Sequence, residues 1–110
     1  MTKPVLLYTT WPDEETALAA ARTLVDERLA ACVNVLGAAA SVYRWQGAVE
    51  QTTEVGALVK TTADRANAAC ARIAALHPYE TPAILAIPVD AAGTHGPFAE
   101  WIAHETRHGD

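Results

Sequence analysis

Two β-prone runs, Val33 to Trp45 and Ala48 to Thr61, meet at Gln46-Gly47 and read as one long hairpin closed by a two-residue turn. Strands in globular domains usually run about five or six residues. Arms of this length must reach beyond any sheet that a chain of 110 residues can build around them. A hairpin standing alone in water is marginal, so the projecting part needs cover, and the simplest cover is a second copy of the same chain. Tyr43 and Trp45 lie beside the turn and carry large rings into that projecting region.

The length fits one domain, residues 1–110, with a core of useful size, and no Pro/Gly/Ser-rich stretch or charge run divides it. Apolar residues make up 51% of the chain, yet no uninterrupted apolar run is long enough to span a bilayer. Met1-Thr2-Lys3-Pro4 leads directly into a strand-like run without the features of a signal peptide, so a cytoplasmic protein is expected. The net charge of -5, from 13 acids against 8 bases, argues against nucleic acid as a partner. Cys32 and Cys70 are far apart and belong to no CxxC or Cys/His cluster, so zinc-knuckle and dithiol chemistry are excluded and both thiols are expected to be reduced.

Val5 to Thr9 is a short apolar run, ended by Trp11-Pro12 and followed by the acidic first turn of a helix spanning Asp13 to Leu29. Leu18, Ala21, Val25 and Leu29 recur there at helical spacing and predict the stripe that faces a sheet. After the hairpin, Thr61-Thr62-Ala63-Asp64 offers cap residues for a second helix. Its stripe is Ala66, Ala69, Cys70, Ile73 and Leu76, and Pro78 stops it near Leu76. Ile84 to Val89 reads as a last strand, and Pro97 to Ile102 opens a C-terminal helix with Phe98, Trp101 and Ile102 on one face. The order predicts an α+β, ferredoxin-like βαββαβ sandwich with a long hairpin between its second and third strands and an extra C-terminal helix. Val5-Leu6-Leu7, Val33 to Leu36, Ala57-Leu58-Val59 and Ile84 to Ile87 are apolar at consecutive positions, so both faces of the sheet need cover. No helix is left over for the second face, and the sheet of a neighbouring subunit is the expected lid.

Five segments in this order resemble the CutA family of divalent-cation-tolerance proteins: Thr10-Trp11-Pro12-Asp13-Glu14, Arg28-Leu29-Ala30-Ala31-Cys32-Val33-Asn34, Ser41-Val42-Tyr43-Arg44-Trp45-Gln46-Gly47, Leu58-Val59-Lys60-Thr61-Thr62, and Leu76-His77-Pro78-Tyr79-Glu80-Thr81-Pro82. The resemblance implies a tight homotrimer with its sheets packed inward and a likeness to PII signalling proteins, whose clefts between subunits bind small ligands. It also implies a divalent metal ion, copper or zinc, as the ligand to test first. Some members carry a thiol just before the Pro-Asp-Glu landmark, where this chain has Thr9, Thr10 and Trp11, which removes the basis for a soft copper site there.

With a simple two-residue turn, Tyr43 faces Glu50 and Trp45 faces Ala48, so both rings share a face with Glu50 and Glu54. That face reads either as the wall of a ligand cleft or as a set of interface anchors. Lys60, at the end of an apolar strand, calls for a carboxylate or an anionic ligand unless it is simply exposed. His77-Pro78-Tyr79-Glu80 gathers imidazole, phenol and carboxylate after the second helix, as ligands or proton-transfer groups, although a histidine at a helix C-terminus is also favoured by the dipole alone. His77 is the leading candidate metal ligand and Cys32, in an apolar setting that makes a thiol inert, a weaker one. Cys70 is assigned to the core, and the His104/His108 pair lacks a third ligand. These residues predict a non-enzymatic homotrimer binding a metal ion or a small polar molecule in clefts lined by the hairpin, Lys60 and the His77 to Glu80 segment. The rivals are a PII-like module holding an anionic effector at Lys60 and an enzyme using His77 or Glu80 for acid/base work, the latter without any recognisable nucleophile or cofactor motif.

Overall fold

The computed structural model describes residues 3–107. Strand β1 (Pro4–Trp11) leads into helix α1 (Glu14–Asp26), the hairpin strands are β2 (Cys32–Trp45) and β3 (Ala48–Thr62), and helix α2 (Ala63–Leu76) precedes β4 (Ile84–Pro88). A 3-10 turn over Ala91–Gly93 and helix α3 (Gly96–Glu105) complete the order. The sheet runs β2-β3-β1-β4 and every pairing is antiparallel, which places β3 between the two strands that α1 connects. This is the predicted ferredoxin-like topology with its additional C-terminal helix.

Local chemistry sets the ends of α1. Asp13 sits outside the helix as its cap, its carboxylate accepting the Thr16 N–H at 2.7 Å. At the other end Arg28 takes a left-handed φ of 60°, and the chain doubles back so that the Leu29 N–H reaches the Leu24 carbonyl. The helix therefore stops at Asp26, short of Leu29. Its buried face is also turned from the predicted one: Ala17, Ala20, Ala21 and Leu24 are buried, whereas Leu18 and Val25 are 36% and 43% exposed. Ala17 and Ala20 let the helix backbone sit close to the sheet, and a stripe led by Leu18 and Val25 would hold it off. In α2, Ala69 and Ile73 are buried and Cys70 is half-buried, at the margin of the core rather than inside it.

The core lies between the helices and one sheet face, with Leu7, Trp11, Leu24, Val59 and Ile73 as its large members. Alternation along the strands then assigns the other face. Leu6 pairs with Lys60 and Ile87, Tyr8 with Leu58 and Leu85, and Cys32 with Lys60. These side chains point away from α1 and α2. The expectation that no helix was left for this face is corrected by α3, because the Lys60 ammonium lies 5.3 Å from the centroid of the Phe98 ring. Phe98 stacks on Trp101 at 5.5 Å, and Ile102 behind them is buried. Leu85 and Ile87 remain 64% and 41% exposed beyond the reach of α3.

The hairpin projects as its length requires. β1 stops pairing at Val55, so the arm from Ala48 to Glu54, roughly 20 Å at the usual strand rise, has only β2 beside it. Leu36 and Gly37 together oppose Gly56, a bulge at the point where the arms leave the sheet and where extra twist re-aims their side chains.

Candidate functional site

Gln46 and Gly47 both take positive φ, 49° and 83°, the backbone of a tight turn whose twist matches the strands it joins. That turn sets the register: Trp45 lies opposite Ala48, Tyr43 opposite Glu50, and Ala39 opposite Glu54. Tyr43, Glu50 and Glu54 thus occupy one face of the hairpin, as the sequence predicts.

The segment after α2 reaches the same face by a different route. Pro78 denies His77 a helical backbone, and the histidine caps α2 in an extended conformation with φ -78° and ψ 137°. Its ring slides over Trp11, centroid to centroid 4.2 Å and nearly parallel, and is 7% exposed. Nε2–H donates to the Thr10 carbonyl at 2.7 Å, and Nδ1 accepts the Tyr79 N–H at 3.1 Å. Both ring nitrogens are therefore engaged with backbone, and the pair of bonds fixes the tautomer. In this arrangement His77 is a positioning residue: it anchors Tyr79, whose ring packs on the imidazole at 4.7 Å and whose hydroxyl donates to Glu54 Oε2 at 3.4 Å. Helix-dipole attraction is not what holds the imidazole, since its bonds run to β1 and to Tyr79.

The phenols and carboxylates are close enough to influence one another electrostatically. Partial burial, then the charge of Glu54 and its hydrogen bond, raise the Tyr79 phenol above its ordinary value, with smaller contributions from Tyr43 and Asp13. The Tyr43 phenol is raised by desolvation, then by Glu50, with Glu54 adding a further charge. Asp13 itself is lowered by the backbone N–H of Thr16 that it caps.

The remaining predicted site residues lie elsewhere. Lys60 and Cys32 pair across β3 and β2 at the opposite end of the sheet, six residues from Glu54 along β3, or about 20 Å. Lys60 is half-buried, and among the described residues its ammonium is met by the Phe98 ring rather than by a carboxylate. Trp45 stands 53% exposed near the hairpin tip, and Glu80 is exposed beyond Tyr79. A single lining formed by all these residues is thus not a feature of one chain: the hairpin cluster and the Lys60 end are separate. Among the described residues no three His, Cys, Asp or Glu side chains converge to hold a metal ion. His108 lies outside the described residues, and His104 turns to Glu105 at 3.1 Å. Sequence reasoning missed Trp11 and Asp13 as members of the hairpin site. Their only sequence signal is their place in the Trp-Pro-Asp landmark, with Pro12 forcing the chain to turn beneath His77.

The family model described as "CutA1 divalent ion tolerance protein" matches residues 5–105, which takes in every strand and helix just placed except Pro4 at the start of β1. The chain belongs to this family. A CutA divalent-cation tolerance protein of Thermus thermophilus is 43% identical over 97 residues, 88% of this chain and 92% of the relative. The crystal structure of CutA from Xylella fastidiosa superimposes with a TM-score of 0.89 at 43% identity, covering 96% of this chain and 99% of that one. An Archaeoglobus fulgidus structure, described as a periplasmic divalent cation tolerance protein CutA, reaches 0.89 at 33% identity over 94% of this chain and 99% of that one. The CutA fold of this chain has no helix among its described residues long and apolar enough to cross a membrane.

Proposed function

We propose that this CutA1-family protein is a homotrimer that binds a divalent cation, Cu(II) or Zn(II), or a small polar ligand, in clefts formed where the hairpin of one subunit meets another. The observation that carries this reading is the hairpin cluster. Glu50 and Glu54 converge with the Tyr43 and Tyr79 phenols, and neither carboxylate has a Lys or Arg ion pair among the described residues. Carboxylate and phenol oxygens suit hard and borderline cations, and two carboxylates from one chain are too few to close a site. A second copy laid against this face of the projecting arms would supply the missing donors while covering the exposed Trp45. The role is binding rather than catalysis, in keeping with the lack of any recognised nucleophile or cofactor motif in the sequence.

Lys60 supports a second reading, a PII-like module for a small anion, because the residue is half-buried and its ammonium has no carboxylate partner among the described residues. Calorimetric titration of the purified protein with Cu(II), Zn(II), nucleotides and simple anions separates the two. Metal binding that Glu54→Gln weakens at least tenfold, while Lys60→Gln leaves it intact, supports the hairpin site. Anion binding that only Lys60→Gln abolishes would replace it. Light scattering coupled to gel filtration tests the assembly, and a particle of 11.7 kDa, the mass of one chain, would overturn the trimer and with it the cleft.

A further inference from the structure

Trp11, His77 and Tyr79 form an unbroken run of rings from the core to the surface. The Trp11 indole, 2% exposed at the end of β1, lies nearly parallel to the His77 imidazole with centroids 4.2 Å apart, and the imidazole meets the Tyr79 ring at 4.7 Å. Each neighbouring pair is in direct π contact. At the outer end the Tyr79 phenol, 39% exposed, donates to Glu54 Oε2 at 3.4 Å. Glu54 has no Lys or Arg ion pair among the described residues, so its carboxylate is free to act as a base. Packing against the imidazole would be served by any flat side chain at position 79. A phenol with a carboxylate at its hydroxyl meets a more particular need, because a tyrosine that loses one electron becomes a strong acid and must pass its proton to an acceptor.

Indole and phenol are among the side chains that give up a single electron most readily. An oxidising radical can draw an electron out of a buried indole without touching it, whereas a reductant that repairs by handing over a hydrogen atom has to reach the damaged ring. Trp11 is closed to such a reductant and Tyr79 is open to it. We infer that the Trp11–His77–Tyr79 run is an electron path by which the fold moves an oxidising equivalent from its core to its surface. A small diffusible radical acts as the one-electron oxidant, taking an electron from Trp11 and leaving the indole radical cation. An electron from Tyr79 crosses the imidazole to fill it, and the phenol proton goes to Glu54 along the hydrogen bond already in place. The product is a neutral phenoxyl radical on an exposed ring. A thiol in solution returns one hydrogen atom to it and becomes a thiyl radical, while Glu54 gives its proton to water, which restores every group of the path. No metal ion takes part, so the path stands whether or not the hairpin binds a cation.

Ultraviolet laser photoionisation tests the path in a protein carrying Trp45→Phe and Trp101→Phe, in which Trp11 is the only indole. Transient absorption follows the indole radical and the phenoxyl together. The indole signal should decay as the phenoxyl signal rises, at a rate independent of protein concentration. Tyr79→Phe should abolish that rise. Glu54→Gln, which keeps a hydrogen-bond acceptor but is a far weaker base, should slow it at least about tenfold. Tyr8→Phe, on the opposite face of the sheet, should leave it unchanged. An equal phenoxyl yield in Tyr79→Phe, an unchanged rate in Glu54→Gln, or an indole radical that never passes to a phenol overturns the inference. If the double variant fails to fold, wild type and Tyr79→Phe are compared directly: loss of phenoxyl yield with the substitution is expected, and an unchanged yield overturns the path.

Discussion

Thr9 and Thr61 are both fully buried on the core face of the sheet, in adjacent strands, yet the same isosteric change should move stability in opposite directions. The Thr9 hydroxyl is enclosed with no hydrogen-bond partner among the described residues, opposite Ala57 on one side and Ile84 on the other. An unpaired buried hydroxyl costs about 1–3 kcal/mol, and Val replaces it with a methyl group of the same shape while keeping the β-branched geometry of the strand. Thr9→Val should therefore stabilise the protein by about 1–2 kcal/mol. The Thr61 hydroxyl instead donates to the Leu29 carbonyl at 2.7 Å, tying β3 to the turn after α1. Thr61→Val deletes that bond and leaves the carbonyl without its donor, a loss of about 1–3 kcal/mol. For a domain of this size each kcal/mol moves the midpoint by on the order of 4–8 °C, so calorimetric melts at one fixed protein concentration should place the two variants on either side of wild type. A lower midpoint for Thr9→Val, or shifts of the same sign in both variants, would refute the reasoning that the partner, and not burial alone, sets the sign.

The left-handed φ of 60° at Arg28 costs a non-glycine residue about 1 kcal/mol, so Arg28→Gly should relax the backbone. It also removes the Nη1 bond to the Glu105 carbonyl at 3.2 Å, and hydrogen exchange should show the last turn of α3 opening faster than in wild type. Glu54→Gln removes a charge that raises both the Tyr79 and Tyr43 phenols, so ultraviolet titration should show the phenol transitions moving down toward the ordinary tyrosine range. The linked stability has a definite sign: phenols raised in the folded state contribute stability that is complete below the unfolded value and is lost as pH rises through the folded one, so the alkaline loss should be shallower in Glu54→Gln. Trp45→Ala removes a ring that is 53% exposed in one chain and, if the proposed trimer forms, should weaken it by roughly 2 kcal/mol per site, read as dissociation on dilution. Unchanged assembly would make Trp45 a free surface residue.

Short-range chemistry explains why most elements could be read from the chain. The Gln46-Gly47 turn, the stop of α2 before Pro78 and the pairing of Tyr43 with Glu50 each depend on a few neighbouring residues. Helix faces were harder. In α1 the larger Leu18 and Val25 suggest one stripe, while the close approach of helix to sheet selects the small Ala17 and Ala20, about one residue of rotation away. Periodicity reports an apolar stripe but not the depth of the groove it must fill.

Local sequence thus determined the order of strands and helices, the hairpin, and its pairing next to the turn, because turn geometry and side-chain alternation act between near neighbours, whereas the bulge at Leu36 and Gly37 shifts the register beyond it. Only the tertiary structure decided which of the polar residues meet. Val5 pairs with Thr61 and Trp11 with Val55, partners far apart in sequence, and these pairings bring the end of β1, with Trp11 and Thr10, beneath His77 and hence Tyr79 onto Glu54. The same sheet sends Lys60 to the far end, where α3 rather than a carboxylate meets its ammonium. Residues such as His77 and Lys60 look alike in a sequence, as isolated polar groups beside apolar runs. What distinguishes a positioning histidine with both nitrogens bonded from a lysine resting on an aromatic ring is the set of distant groups the fold places around each.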